Sequence, residues 1–229
     1  GNNVNQAGVA VTASIASGGG TLLGTTTVLT NVMGIATFSD LGIVGTVGAR
    51  TLSFGAGSLT GATSGSITLL AGTATTLALN DGDGQTAAAA TAVATPPSVI
   101  ARDVSGNPVA GVQISFAVSA GGGSIAPTTA VTTDASGIAA LTSWTLGPIA
   151  GANTLTASAD GLDGSPITFS ATATAGVASQ MTATAGDNLS GPVGTTLGTA
   201  HEVRVTDATG NPVAGVTVNW SAAGGGSVN

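Results

Sequence analysis

The chain has 229 residues, of which ten are acidic and three are basic, so its formal net charge is −7 at pH 7. Proteins bind phosphate backbones through clustered Lys and Arg, so this composition excludes nucleic acid as a partner. Charged residues make up 6% of the chain, whereas an ordinary soluble domain carries about a quarter. The chain has no cysteine and no lysine, which excludes disulfides and Lys–Asn isopeptide cross-links. No stretch of about 18 apolar residues occurs, so no membrane span is predicted.

A long internal repeat organises the sequence. The segment GNPVAGVQISFAVSAGGGS at 106–124 returns as GNPVAGVTVNWSAAGGGS at 210–227, a spacing of 104 residues. A weaker copy, AGVAVTASIASGGG at 7–20, matches 110–123 at a spacing of 103. This period is the length of a small domain rather than of a solenoid repeat. The repeat predicts a partial domain at 1–72 without its first strands, a complete domain at 73–176, and a partial domain at 177–229 without its last strands.

The two partial units overlap when they are aligned with the central one. A simple circular permutation would leave no such overlap. We therefore expect a window cut from a longer array, and the alternative that the partial units are completed by neighbouring molecules stays open.

The first distinctive segment of the central unit is Asn80-Asp81-Gly82-Asp83-Gly84-Gln85. Oxygen-bearing residues that alternate with glycines could wrap a calcium ion. The segment lacks the twelve-residue loop, closed by a bidentate Glu, of an EF-hand. The aligned segment at 185–188 keeps only one of the two acids. Whether the Asp81/Asp83 loop holds calcium or is a solvated turn is left open, and no residue is assigned as a metal ligand or cofactor contact.

Short runs rich in Val, Ile, Thr and Phe alternate with turn residues through the central unit, which predicts an all-β sandwich of six or seven strands. The strand predicted at 112–119 places Val112, Ile114, Phe116 and Val118 on one face, which is the expected core stripe. Its counterpart in the last unit puts Trp220 at the same inward position. The predicted strands are 98–102, 112–119, 130–133, 138–145, 153–159 and 167–174.

Turn chemistry accounts for most of the acidic residues. The sequence Ser105-Gly106-Asn107-Pro108 combines a residue free to adopt positive φ with one of fixed φ, which predicts a turn between strands. Asp134 and Asp163 are each followed by a nearby glycine, so their carboxylates are expected to cap turn backbones. No pair of carboxylates is expected to face each other across a cleft.

Catalytic residues are not found in the sequence, and we predict that the chain is not an enzyme. His201 is the only histidine, so neither a repeated Ser-His-Asp triad nor a histidine metal cluster can be composed. We interpret it as a surface or strand-edge residue beside a strand that contains Glu202. Two tripeptides, at Asn188 and Asn219, match the N-glycosylation pattern, although Asn219 falls within a predicted strand.

The order of motifs in the central unit resembles the bacterial immunoglobulin-like domains of the invasin and intimin type. These motifs are D-x-x-GNPVAGV, an alternating strand, GGGS, TTDASGIA, TLG and GANTLTASADG, and the match extends into both partial units. The resemblance implies tandem seven-stranded antiparallel sandwiches on long bacterial surface proteins, where such domains act mainly as a stalk. Nothing in the sequence resembles the specialised terminal domains that bind receptors in that family.

Three classes of function follow from this interpretation. The leading hypothesis is a structural repeat segment of an extracellular filament or stalk at the bacterial cell surface, which contacts adjacent repeats or copies of itself through tandem or strand-edge contacts. The second is an adhesin or carbohydrate-binding module, although its loops carry few aromatic residues to anchor a cell-surface or glycan partner. The third is a non-catalytic array within a large secreted enzyme.

Overall fold

The computed structural model describes residues 6–224, and within this range the chain forms strands and no helix. No helix of these residues is therefore long and apolar enough to cross a membrane. The end of the last GGGS motif, at 225–227, lies outside the described residues. We describe the strands by the three units that the repeat predicts.

The first unit contains one main sheet and a small second pair of strands. The main sheet has the order β3-β1-β5-β6, with β7 also paired to β5, while β2 pairs with β4. The strands are β1 (Ala10–Ser17), β2 (Thr21–Leu23), β3 (Thr27–Leu29), β4 (Gly42–Val44), β5 (Gly48–Gly55), β6 (Ala62–Thr63) and β7 (Ile67–Leu69).

The central unit is a complete sandwich. Its sheets have the orders β14-β10-β8 and β13-β11-β16-β17-β9, and β12 pairs with β15 at the rim. Only the β9–β17 pair is parallel among the strand pairs of the described residues. The strands are β8 (Thr76–Asp81), β9 (Gln85–Ala88), β10 (Ser98–Arg102), β11 (Gln113–Ala120), β12 (Gly123–Ala126), β13 (Val131–Thr132), β14 (Ile138–Ala140), β15 (Ser143–Leu146), β16 (Gly151–Ser158) and β17 (Ile167–Thr174).

The core of the central unit lies between its two sheets, because alternate residues of each strand point inward. Val99 of the smaller sheet and Ile114, Leu155 and Phe169 of the larger sheet are fully buried in one cluster with Trp144. Truncation of such a side chain to Ala costs about 2–5 kcal/mol. The predicted core stripe on β11 is confirmed, and the all-β sandwich is confirmed with it.

The last unit contains β18 (Gln180–Ala185) and β19 (Glu202–Thr206), which pair with each other. Residues 212–224, which include the predicted counterpart of β11, form no strand. Trp220 is 49% exposed, so the prediction that it points into a core is wrong for this chain. The physical reason is that Trp220 lies on no strand and borders an open groove to which, of the described strands, β18 and β19 contribute residues.

Two boundaries also differ from the sequence prediction. The strand predicted at 138–145 is divided into β14 and β15, because the chain leaves β10 of one sheet and then pairs with β12. Much of the predicted loop at 80–85 belongs to strands: Asp81 ends β8 and Gln85 begins β9. The central unit therefore has ten short strands where six or seven were predicted: one predicted strand is split, and β8, β9 and β12 lie outside the predicted ranges.

Candidate functional site: the junctions between units

Two turns with the same backbone geometry follow β10 and β19. In the first, the Asp103 amide donates to the Asn107 carbonyl at 2.9 Å, and in the second the Asp207 amide donates to the Asn211 carbonyl at 2.9 Å. A glycine precedes each asparagine, with φ of 80° at Gly106 and 89° at the equivalent position. Glycine adopts this left-handed conformation without steric cost, which explains the predicted turn.

The carboxylate of Asp103 organises the first turn, although it is only 5% exposed. Its Oδ1 accepts the backbone amides of Ser105 at 2.9 Å and Asn107 at 2.8 Å. Its Oδ2 accepts the Asn107 side-chain amide at 2.9 Å and the Gly72 backbone amide at 2.9 Å. Burial raises the pKa of Asp103, but the hydrogen bonds, first that of the Asn107 side chain, outweigh burial and hold this pKa below its ordinary value.

The side chain of Asn107 then reaches the first unit. Its Oδ1 accepts the Val47 backbone amide at 2.9 Å, and its Nδ2 donates to the Gly45 carbonyl at 3.0 Å. These two bonds pair one amide side chain with an N–H and a C=O of the loop between β4 and β5. One side chain of the central unit is thereby fixed to the backbone of its neighbour.

The same arrangement joins the central unit to the last one. Asn211 Oδ1 accepts the Ala150 amide at 2.8 Å, and Asn211 Nδ2 donates to the Pro148 carbonyl at 2.9 Å and to Asp207 Oδ2 at 2.9 Å. Asp207 Oδ2 also accepts the Gly176 amide at 2.8 Å. The Asn211 side chain and then the Gly176 amide lower the pKa of Asp207. We call each set of an aspartate, an asparagine four residues later and the neighbour's loop a junction clamp.

The second clamp has one additional side chain, that of Thr209, which makes two hydrogen bonds. The Thr209 hydroxyl donates to Asp207 Oδ1 at 2.9 Å and lies 2.8 Å from Asn211 Nδ2. At the equivalent position, Ser105 contacts its aspartate through the backbone amide. The second clamp therefore holds its asparagine with one more hydrogen bond.

A buried polar side chain hydrogen-bonds to the backbone of each loop that a clamp contacts. In the first unit, Arg50 is 3% exposed and donates to the carbonyls of Thr46 and Ala49. In the central unit, Asn153 is 1% exposed and accepts the Gly147 amide at 3.0 Å. Arg50 and Asn153 occupy equivalent positions on β5 and β16, so different side chains at the same position hydrogen-bond to the loop backbone.

The clamps bind backbone rather than a substrate. Their groups are a hydrogen-bonded carboxylate and a primary amide, and the Asn107 side-chain amide makes three hydrogen bonds, all to protein atoms. Neither group is a nucleophile held by a base. The arrangement can fix the orientation of two consecutive units, and this is the chemistry that we assign to it.

The acids of the candidate calcium loop are used by the fold. Asp83 Oδ1 accepts the Ser170 amide at 2.7 Å and the Ser170 hydroxyl at 2.9 Å, which ties β9 to β17. The Ser170 backbone amide lowers the pKa of Asp83. Asp81 accepts the Gly82 amide at 2.7 Å. No group of three potential metal ligands occurs among residues 6–224.

The two turn acids behave differently. Asp134 Oδ1 accepts the amides of Ser136 at 2.8 Å and Ile138 at 3.0 Å, so the predicted capping role is confirmed. Asp163 instead joins β8 through its backbone, which accepts the Leu77 amide at 2.8 Å. The structure brings neither acid to a junction clamp.

His201 is exposed and lies directly before β19, as predicted, with its ring 6.2 Å from that of Trp220. It shares a shallow groove with Asp187 and Glu202. Both candidate glycosylation residues, Asn188 and Asn219, are exposed. The strand predicted around Asn219 is absent from the described residues, and modification of either residue stays a prediction.

Sequence reasoning missed both clamp asparagines as contact residues. The segment containing Asn107 has a sufficient local explanation as a turn, whereas its partner Gly45 is 62 positions away in the chain. The available signal was an Asp and an Asn four residues apart that recur together at the repeat spacing, at Asp207 and Asn211.

Comparison with known proteins gives matches among solved structures. Neither a protein-family model nor a curated protein sequence matches the chain. The adhesin FdeC of Escherichia coli matches at 19% identity with a TM-score of 0.47, over 76% of this chain and 55% of that one. InvD of Yersinia pseudotuberculosis matches at 19% identity with a TM-score of 0.46, over 93% and 63%. Invasin, described as a bacterial integrin-binding protein, matches at 19% identity with a TM-score of 0.43, over 93% and 42%.

These matches include invasin itself, one of the two proteins that give the resembled type its name. The chain spans about half the length of the solved structures that it matches, between 42% and 63% of each. At this level of identity the chain is similar to these proteins in its fold.

Proposed function

We propose that the chain is a structural repeat segment of an extracellular bacterial surface filament or stalk, in which junction clamps set the angle between consecutive immunoglobulin-like units. The observation that carries this proposal is the recurrence of one clamp, with the same donors and acceptors, at both junctions. Each clamp joins atoms of two different units, so its recurrence repeats one contact between units along the chain.

The geometry of a clamp suits this role. Two hydrogen bonds to an N–H and a C=O of one loop restrict rotation as well as separation, and each contributes about 0.5–1.5 kcal/mol. The aspartate holds the asparagine in position before the neighbour is engaged, which lowers the entropy lost on contact. The result is a preferred angle between units that yields under load and reforms.

The broad faces of the sheets support a structural role over a binding role. On the outer face of the main sheets, hydroxyl side chains bond to each other across strands, as in Ser14–Ser53 and Ser119–Thr154, both at 2.7 Å. Such a face is wettable and uncharged, and hydroxyls that are already paired have less capacity for a ligand. Charged residues are 6% of the chain, so few side chains are available for attraction or repulsion by charge.

Small-angle X-ray scattering of the chain tests the mechanical part of the proposal. We expect the profile of an extended particle with one dominant arrangement of units, and we expect the double variant Asn107→Ala, Asn211→Ala to require a broad ensemble. Equal flexibility of the two proteins would contradict the role of the clamps. Immunogold labelling of intact cells of the source organism tests the surface location, and label confined to the cell interior would refute it.

A further inference from the structure

Exposed apolar side chains are distributed unevenly over the three units. Of the large apolar side chains exposed in the described residues, ten lie in the first unit and seven in the last, but three lie in the central unit, which is the longest. Some of these positions in the outer units correspond to buried or half-buried positions of the central one. Leu59 is 64% exposed, whereas its equivalent Leu162 packs against the core. Met181 is 55% exposed, whereas its equivalent Leu77 is 3% exposed.

The first unit has an open apolar groove of about 230 Å³ on the inner face of its main sheet. Val9, Val11 and Leu59 contribute to its lining. Their equivalents in the central unit are Val112, Ile114 and Leu162, which belong to or pack against the core cluster.

In the central unit, the equivalent surface is covered by the sheet that contains β8 and β10. Leu77 on β8 is 3% exposed, and Val99 and Ala101 on β10 are both 0% exposed within the same core cluster. The described residues of the first unit contain no equivalents of these two strands. By comparison with the central unit, the groove would be covered by a pair of antiparallel strands with the apolar pattern of β8 and β10.

The last unit presents such a pair. Strands β18 and β19 occupy the positions of β8 and β10 and have the same register, with Met181 opposite Val205 where Leu77 is opposite Ala101. Each pair has a register shift at the same place, between Ala183 and Ala185 in the last unit. Strands that match the missing part of the first unit in length, register and polarity thus lie in the same chain without an opposing sheet.

We propose that β18 and β19 of a second copy of this chain dock on the groove of the first unit and complete its sandwich, so that copies join head to tail. This inference rests on the proposed function and names the partner of its strand-edge contacts. In the completed unit, β19 pairs with residues 35–37, as β10 pairs with β14. By that register, Glu202 lies opposite Thr37, as Ser98 lies opposite Ala140.

One segment must remain outside the completed sandwich. Residues 217–224 of the last unit correspond to β11, and the first unit of the second copy already has β1 in that place. Residues 212–224 form no strand, and the Val213 amide, at 3.0 Å from the Val205 carbonyl, anchors the start of the segment. Trp220 of this segment lines a groove with Ala183 on β18 and Val203 on β19, so docking requires the segment to move off these two strands.

Disulfide trapping in the full chain tests the proposal, because the chain has no cysteine of its own. Thr37 and Glu202 are both exposed, so Thr37→Cys and Glu202→Cys leave each core intact. Opposite residues of paired strands are within the reach of a disulfide. We expect an equimolar mixture of the two single variants to form a covalent dimer under mild oxidation at least tenfold faster than either variant alone.

Thr182→Cys is the matched control for Glu202→Cys. Thr182 is exposed on β18, one strand further from residues 35–37. Thr182 lies opposite Arg204, two residues along the strand from Glu202. Neighbouring strands are about 4.8 Å apart and the rise is about 3.4 Å per residue, so the Thr182 Cα is about 12 Å from that of residue 37, which is too far for a disulfide. Equal rates for the two mixtures would show random collision and would overturn the proposal.

The double variant Thr37→Cys, Glu202→Cys separates a second copy from closure within one chain. We expect disulfide-linked ladders whose length rises with protein concentration. An internal disulfide formed at a rate independent of concentration would overturn the proposal, and so would the absence of both products, which is expected if other parts of a longer chain cover the groove. These outcomes do not affect the scattering test of the clamps, so the two proposals fail separately.

Discussion

Replacement of Asn107 by Ala is the most direct test of how a junction clamp works. The change removes the hydrogen bonds to Val47, Gly45 and Asp103, at 2.9, 3.0 and 2.9 Å. A neutral hydrogen bond contributes about 1 kcal/mol and one to a charged group about 2 kcal/mol, so the three sum to about 4 kcal/mol. Water reaches the rim of the junction and replaces part of this, which leaves an expected loss of about 2–3 kcal/mol.

The loss divides between the central unit and the junction. The bond to Asp103 lies within the central unit, so its share lowers the free energy of unfolding of that unit. Urea unfolding followed by the fluorescence of Trp144, which is fully buried, measures this share in a Trp220→Phe background. The matched control is Asn80→Ala, which removes one hydrogen bond, to Ser98 at 2.9 Å, and no contact between units.

The bonds to Gly45 and Val47 are measured separately, as the freedom of the first unit relative to the central one. Spin labels on cysteines introduced at Ser58 and Ser136, both exposed, report the distance between these units. We expect a narrow distance distribution that Asn107→Ala broadens and Asn80→Ala leaves unchanged. An unchanged width in Asn107→Ala, together with a stability loss no larger than that of the control, would refute the reasoning.

Three further predictions concern charge and access. Because the pKa of Asp103 is lowered in the folded chain, its carboxylate stabilises the fold above the unfolded pKa of about 4, and this contribution is lost as the pH falls through the folded pKa. The urea midpoint should therefore be flat from pH 7 to 5 and fall in more acidic buffer. The fall should be smaller in Asp103→Asn. Asp83→Ala should cost about 1 kcal/mol through the lost contact to Ser170, while calcium or a chelator should not shift the melting temperature of the parent chain; a calcium-dependent shift would contradict this assignment. Trypsin should cut first after Arg204, which is exposed in a unit without an opposing sheet, and first cleavage elsewhere in a mass-spectrometric time course would contradict that view.

The parts of the fold that follow from local pattern were predicted well. The alternation of Val112, Ile114, Phe116 and Val118 fixed one face of β11, and two of these residues are indeed fully or nearly fully buried. Strands 98–102 and 167–174 have the predicted bounds. These predictions succeeded for the same reason: the alternation of apolar and polar residues is a property of the sequence of each strand alone.

The features that failed to appear in the sequence depend on distant partners. The division of the strand at 138–145 depends on which sheet each half joins, and that choice is made by β10 and β12. The inward position of Trp220 depended on an opposing sheet that is not formed by the described residues. The contact of Asn107 with Gly45 joins different units, so it cannot be predicted from the local sequence around either residue.

The choice of an aspartate and an asparagine for the clamp has a physical explanation. A loop that docks on a neighbour buries a backbone N–H and a C=O, and an unpaired buried group of either kind is costly. A primary amide satisfies both with one side chain, whereas a carboxylate could accept from the Val47 amide but could not donate to the Gly45 carbonyl.

The aspartate also decides which way the amide points. An ionised carboxylate only accepts hydrogen bonds, so Asp103 must face the Nδ2 of Asn107. The Oδ1 of Asn107 is then directed at the Val47 amide. The same constraint acts on Asn211 through Asp207. Two polar residues therefore specify one hydrogen-bonded geometry between a unit and the loop of its neighbour. A strictly apolar contact would have joined the units with less control over their rotation, because hydrophobic burial is not directional.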